Sequence, residues 1–200
     1  MSIYNSIIKD SHRMGIGNTP IIKLGSYNIY SKLEYYNKFH SIKDRAAFFM
    51  IDYAIKTGEL DKNKIIIEAS SGNTGIAIAG IARSFGIRSE IVIPENSAPG
   101  TRLELEKLGA KVITTPGGST EASINYMESA VAANPHIYFN PQQHMNKLNS
   151  DAHYYGTAPE IALKLKKIDS IVIGVGTGGT ITGLARYFKR KSPKTEIIGV

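Results

Sequence analysis

Lysine is the side chain that forms Schiff bases, and Lys43 stands where that chemistry is favoured. In Ser41-Ile42-Lys43-Asp44-Arg45 an extended polar stretch gives way to a periodic helix. Ala46, Ala47, Met50, Ile51 and Ala54 recur at helical spacing, and the pattern closes at Thr57-Gly58, with Gly58 suited to the C-terminal cap. Lys43 therefore falls in or just before the first turn. The N-terminal end of a helix carries partial positive charge from its unpaired N–H groups, so a cation is misplaced there for stability. Beside Arg45 and that helix end the ammonium form is disfavoured, which promotes the free amine. The alternative is an exposed lysine paired with Asp44 or Glu34, and Lys43 taken alone does not exclude it.

Two loops supply what such a lysine needs. Gly174-Val175-Gly176-Thr177-Gly178-Gly179-Thr180 follows an apolar run and opens a helix, so backbone N–H groups can converge on an anion with the Thr177 and Thr180 hydroxyls beside them. No lysine follows the glycines, so it is not a Walker loop, and its spacing is not that of a dinucleotide site. A tight strand-to-helix connection is the alternative. Glu68-Ala69-Ser70-Ser71-Gly72-Asn73-Thr74-Gly75 also lies between strand and helix, and its hydroxyl and amide groups around a helix N-terminus suit a carboxylate. Simple capping by Ser71 or Asn73 is the alternative there. In an open parallel sheet both loops fall at the carboxyl edge and can face one crevice. A phosphate cradle, a carboxylate nest and a lysine amine together suggest pyridoxal phosphate acting on an amino acid.

The elements that must position these loops alternate. Short strands at Ile21 to Leu24 and Asn28 to Glu34 lead to the Lys43 helix. Strand and helix then follow in turn: 64–69 with 74–85, 89–93 with 101–108, and 111–115 with 119–133. A short strand at 137–139 precedes an irregular polar stretch, 140–149. Helix 158–166, strand 170–175, helix 180–190 and strand 196–200 complete the pattern. Strands rich in Ile and Val with little alternation predict a parallel sheet covered on both faces, with right-handed crossovers.

Composition narrows the classes. The 200 residues, 42% of them hydrophobic, can bury a substantial core. With no cysteine, disulfides, thiolate metal sites and a cysteine nucleophile are excluded. The net charge of +7 raises nucleic acid as a partner, but the basic residues are scattered. Their one dense cluster, Lys189-Arg190-Lys191 with Lys194, suits a helix C-terminus, so nucleic-acid binding is not expected. His12, His40, His136, His144 and His153 lack metal-ligand spacing and read as surface or loop residues; no metal is expected. No apolar run spans a membrane and no signal-peptide pattern opens the chain, which predicts a cytoplasmic protein.

Along nearly its whole length the chain resembles the cysteine synthase (O-acetylserine sulfhydrylase) and cystathionine beta-synthase family of fold-type II pyridoxal-phosphate enzymes. The resemblance rests on Gly17-Asn18-Thr19-Pro20, Lys32-Leu33-Glu34, Ser41 to Arg45, Ser71-Gly72-Asn73-Thr74-Gly75, Pro141-Gln142-Gln143, Pro159-Glu160-Ile161 and Gly176-Thr177-Gly178-Gly179-Thr180, in that order. It implies Lys43 as Schiff-base lysine and general base, Asn73 near the ring hydroxyl of the cofactor, and Gly176, Thr177, Gly178, Gly179 and Thr180 on its phosphate. Ser70, Ser71, Gly72, Thr74 and Gln143 would surround the substrate carboxylate, Gln143 being taken over Gln142 by register.

The resemblance also implies an α/β fold of two interleaved, open-twisted parallel-sheet domains with helices on both faces, like the tryptophan synthase beta chain. Residues 1–40 and 148–200 would form the larger domain, which holds the cofactor phosphate, and 41–147 the smaller one, which carries the substrate loop. The implied reaction is beta-replacement, O-acetylserine plus sulfide giving L-cysteine and acetate, in a homodimer. Cystathionine synthesis from serine and homocysteine is one alternative, and a truncated, inactive binding or regulatory relative is another. Three departures stand out. Asn37-Lys38-Phe39-His40 replaces a usual Pro and Gly, Ser70 a usual threonine, and Ala158 a usual glycine. Family members continue past the equivalent of Val200, so the C-terminal part of the fold, with the group that bonds the pyridine nitrogen, is expected beyond this sequence.

Overall fold

Ile3–Met14 forms a helix (α1) that the alternation above leaves out. In the computed structural model, which describes residues 2–200, Ser2 caps this helix by accepting the Asn5 N–H, and Gly15 ends it at φ 84°. Ile7 and Ser11, one helical turn apart, are buried. Packing divides the chain into two compact units, the segment up to Met50 with Gln143–Val200, and Ile51–Gln142.

The second unit is a parallel sheet in the order β5-β4-β3-β6, from strands β3 (Ile65–Ala69), β4 (Arg88–Pro94), β5 (Lys111–Thr115) and β6 (Tyr138–Phe139). Helices α3 (Asn73–Phe85), α4 (Pro99–Lys107) and α5 (Thr120–Ala133) connect them. Met127 of α5 packs with Ile67, Ala69 and Val92 on one face. Gly75 of α3 lies against Ile91 on the other. Burial on both faces explains why Ile65 to Ile67 and Ile91 to Ile93 read as apolar runs without alternation.

The first unit holds α1, the antiparallel hairpin of β1 (Ile21–Lys23) and β2 (Tyr30–Lys32), and the start of α2 (Lys43–Thr57). It also holds a parallel pair, β7 (Ser170–Ile173) and β8 (Glu196–Gly199), connected by α8 (Gly179–Lys191). Ile173, Leu184, Phe188, Ala158 and Ile161 form its core. Ile171 and Ile197 pack on this core, while their neighbours Val172, 62% exposed, and Ile198, 40% exposed, point to the opposite face of the pair.

A difference from expectation concerns 140–157. The polar composition predicts an irregular stretch to Asn149 and a helix only from Ala158. Instead α6 (Lys147–Ala152), a single π-helical turn (His153–Thr157) and α7 (Ala158–Lys164) form one helical run, opened by Asn146 accepting the Leu148 N–H at 3.0 Å. The buried positions Asn149, His153 and Thr157 repeat every four residues, so the inward stripe of this run is polar, and a search for apolar periodicity passes over it.

Candidate active site

Lys43 begins α2, as its spacing predicts, and the loop before it is held by the next residue. Asp44 is fully buried, and its carboxylate accepts from the Phe39 N–H at 2.6 Å and the Ser41 hydroxyl at 3.2 Å. Ser41 Oγ in turn accepts the Lys43 N–H at 3.2 Å. Burial pushes the Asp44 carboxyl up to about 6, against the lowering effect of those two donors. His40, at φ 65°, makes the turn that this arrangement closes, in the segment where the sequence departs from the family's Pro and Gly.

Arg45 fixes the same helix end from inside. Its guanidinium bonds Glu34 through Nε at 2.6 Å and Nη2 at 2.9 Å, and Glu160 through Nη1 at 2.7 Å and Nη2 at 2.8 Å. Lys32 reaches Glu160 at 2.7 Å, and the Asn18 N–H donates to it at 3.0 Å. Burial alone would raise both carboxyls, but the Arg45 hydrogen bonds and charge outweigh it, and Glu34 and Glu160 are held below the usual range. Four separated motifs of the sequence thus meet in one buried ion network.

The glycine loop has an open front and a packed back. A side chain added at Gly174, Gly176 or Gly178 would meet nothing within 4 Å. At Gly179 it would strike the Asn149 amide, and at Gly183 the Ser150 carbonyl and His153. Gly178, at φ 81°, turns the chain into α8, whose first turn carries no acidic residue. That open N-terminus fits a phosphate.

Both hydroxyls of the loop are held from behind. Thr177 Oγ1 accepts from Asn149 Nδ2 at 3.0 Å, and Thr180 Oγ1 lies 3.3 Å from His153 Nε2. The other ring nitrogen of His153 is 2.9 Å from Thr157 Oγ1. Burial, then the charges of Arg45 and Lys43, drive the imidazole down to about 3, so it is neutral, with one donor and one acceptor nitrogen. With its proton on Nε2, Thr180 accepts, and the hydroxyl proton of Thr180 is left for an anion. This corrects the reading of His153 as a surface or loop residue: it is buried beneath the loop.

In the second unit, Ser70 Oγ accepts the Gly75 N–H at 3.3 Å and the Gly72 N–H at 3.4 Å. Gly72 is the N-cap of α3 and no side chain caps from that position, so neither Ser71 nor Asn73 serves as the simple cap. Ser71, Gly72 and Asn73 are exposed, and Thr74 is buried. A side chain added at Gly75 would strike the Ser70 carbonyl and come within 3.1 Å of Ile91, so only glycine fits there. Gln143, in the first unit, is buried, and its carbonyl accepts from Asn149 Nδ2 at 2.8 Å. Within the first unit, which also holds Lys43, Asn149 ties Gln143 to Thr177 and His153 ties Thr180 to Thr157, and neither Asn149 nor His153 belongs to the sequence motifs.

Known proteins give an independent comparison. A family model described as pyridoxal-phosphate dependent enzyme matches residues 12–200. A cysteine synthase of Staphylococcus aureus is 36% identical, over 92% of this chain and 62% of that protein. Among solved structures, a hydrogen sulfide-producing enzyme from Fusobacterium nucleatum superposes with a TM-score of 0.87 at 38% identity, over 100% of this chain and 66% of that one. A cysteine synthase from Entamoeba histolytica superposes with a TM-score of 0.88 at 34% identity, over 99% and 60%. The chain thus spans less than two thirds of the length of these relatives.

Proposed function

The chain belongs to the family of pyridoxal-phosphate dependent enzymes, and we propose that it catalyses beta-replacement, converting O-acetylserine and sulfide to L-cysteine and acetate. The observation that carries this reading is the pairing, within one unit, of an amine at the start of α2 with an anion cradle at the start of α8. The helical run between them touches both: Gly156 packs near Arg45, and His153 bonds Thr180. The two cysteine synthases above support the choice of substrate.

When bound, pyridoxal phosphate supplies an electron-accepting ring that stabilises negative charge at the alpha carbon of an amino acid. Lys43 is the amine that anchors it and later takes the alpha proton. Gly176, Thr177, Gly178, Gly179 and Thr180 hold the phosphate through N–H groups and hydroxyls, and His153 keeps the Thr180 hydroxyl in register. Asn73 holds the ring hydroxyl. Ser70, Ser71, Gly72 and Thr74 take the amino-acid carboxylate, and Gln143 contributes to the same task. The division into a cofactor-phosphate part and a substrate-loop part belongs to this proposal, with bounds that follow the compact units at Met50 and Gln143 and so keep Lys43 with the cradle.

So do a cytoplasmic location and a homodimer. No helix among the described residues is long and apolar enough to cross a membrane. The β1–β2 region exposes Ile22, Leu24, Tyr27, Ile29 and Tyr30, an apolar surface suited to a second copy. The reaction is tested by supplying the protein with O-acetylserine and sulfide, and separately with serine and homocysteine. Cysteine formation in the first mixture is expected; cystathionine in the second with none in the first would overturn the assignment.

A further inference from the structure

Asn149 touches both the segment carrying Gln143 and the glycine loop. It is buried on α6, and its Nδ2 donates to the Gln143 carbonyl at 2.8 Å and to Thr177 Oγ1 at 3.0 Å. A carbonyl can only accept, which fixes the amide nitrogen on that side. Thr177 Oγ1 is therefore an acceptor towards Asn149, and its single proton is left to donate elsewhere. The amide oxygen sits against Gly179, where a side chain would collide, so the amide plane is wedged behind the first turn of α8.

We propose that Asn149 is a positioning residue for cofactor and substrate together. It directs the Thr177 hydroxyl proton at the phosphate, and it holds the backbone of Gln143 so that this side chain meets the amino-acid carboxylate. The inference rests on the reading that Gly176 to Thr180 hold the phosphate and Gln143 the carboxylate. An asparagine suits the task because one nitrogen donates twice in a fixed plane, which a hydroxyl or a carboxylate at this place would not do.

The test titrates the cofactor-free, full chain with pyridoxal phosphate and with pyridoxal, which lacks the phosphate. It then titrates the loaded protein with L-alanine, which has a carboxylate but no leaving group. Asn149→Ala is expected to weaken pyridoxal phosphate about tenfold, the scale of one lost hydrogen bond to a charged or polarised partner, with pyridoxal nearly unchanged and L-alanine weakened as well. Thr177→Val, on the half-buried loop, is expected to weaken pyridoxal phosphate alone. In the double variant the losses for the phosphate should not add, because both substitutions break one interaction. Equal losses for pyridoxal and its phosphate in Asn149→Ala would mark a merely structural role and overturn the proposal. So would Thr177→Val binding pyridoxal phosphate as the unaltered chain does, a result that stands even if Asn149→Ala fails to fold. Failure of the unaltered chain to bind pyridoxal phosphate would overturn the functional reading itself.

Discussion

Glu160 accepts from Arg45 through both oxygens and pairs with Lys32, so its removal strands two cations at the base of the Lys43 helix. Glu160→Gln should cost about 3 to 5 kcal/mol, the range for breaking one side of a buried pair, read as a lowered midpoint in denaturant. Glu34 and Glu160 are held below the usual carboxylate range, so their stabilisation is complete above that range and is lost as pH falls from it through their lowered values. Asp44 works in the opposite sense. Its carboxyl is raised from 3.8 to about 6, so its contribution is complete below pH 3.8 and is lost as pH rises through about 6. Removing that titration with Asp44→Asn should flatten the decline of stability between these values, which amounts to about 3 kcal/mol at most. Melting curves across that window test it, and an unchanged slope in the variant would refute the burial argument. At this scale the places of Lys43 and of the glycine loop at helix starts were legible, because a lysine at a helix N-terminus and four glycines within Gly174 to Thr180 are unusual in sequence. Asn149 and His153 were not, because a buried polar side chain is marked by its partners, and those lie 28 and 27 residues further along the chain.

Helix α8 stands close enough to α6 and the π-helical turn that only glycine fits at Gly183, where a side chain would meet the Ser150 carbonyl and His153 Cβ at 2.7 Å. Alanine normally stabilises a helix interior relative to glycine by about 1 kcal/mol. Gly183→Ala should reverse that sign and lower the melting temperature. Gly100→Ala, in α4 with nothing within 4 Å, should leave it unchanged or raise it. A stabilised Gly183→Ala would mean that the two helices can part without cost. Most elements of the second unit were legible to within two residues, because Ile65 to Ile67 and Ile91 to Ile93 are apolar runs and Gly86 stops its helix at φ 68°. The segment 147–157 was not, because its buried stripe of Asn149, His153 and Thr157 is polar and turns apolar only at Ile161. Helix α1 was missed for a different reason: its apolar residues recur at helical spacing, but no chemistry-bearing residue drew attention to it.

At the scale of the whole molecule, the first unit carries the amine and the anion cradle, and the second carries the serine loop on its parallel sheet. The alternation of strand and helix made that architecture readable, since it leaves loops at the carboxyl ends of strands, where α/β folds keep their ligands. The covalent hold of Lys43 on pyridoxal phosphate is the step on which the proposed function depends. It is tested most directly by reducing the loaded protein with borohydride, digesting it, and locating the pyridoxyl group by mass spectrometry. The label is expected on the peptide containing Lys43 and should be lost in Lys43→Ala; a label on another lysine, or none on a protein that retains its visible absorbance, would rule this role out.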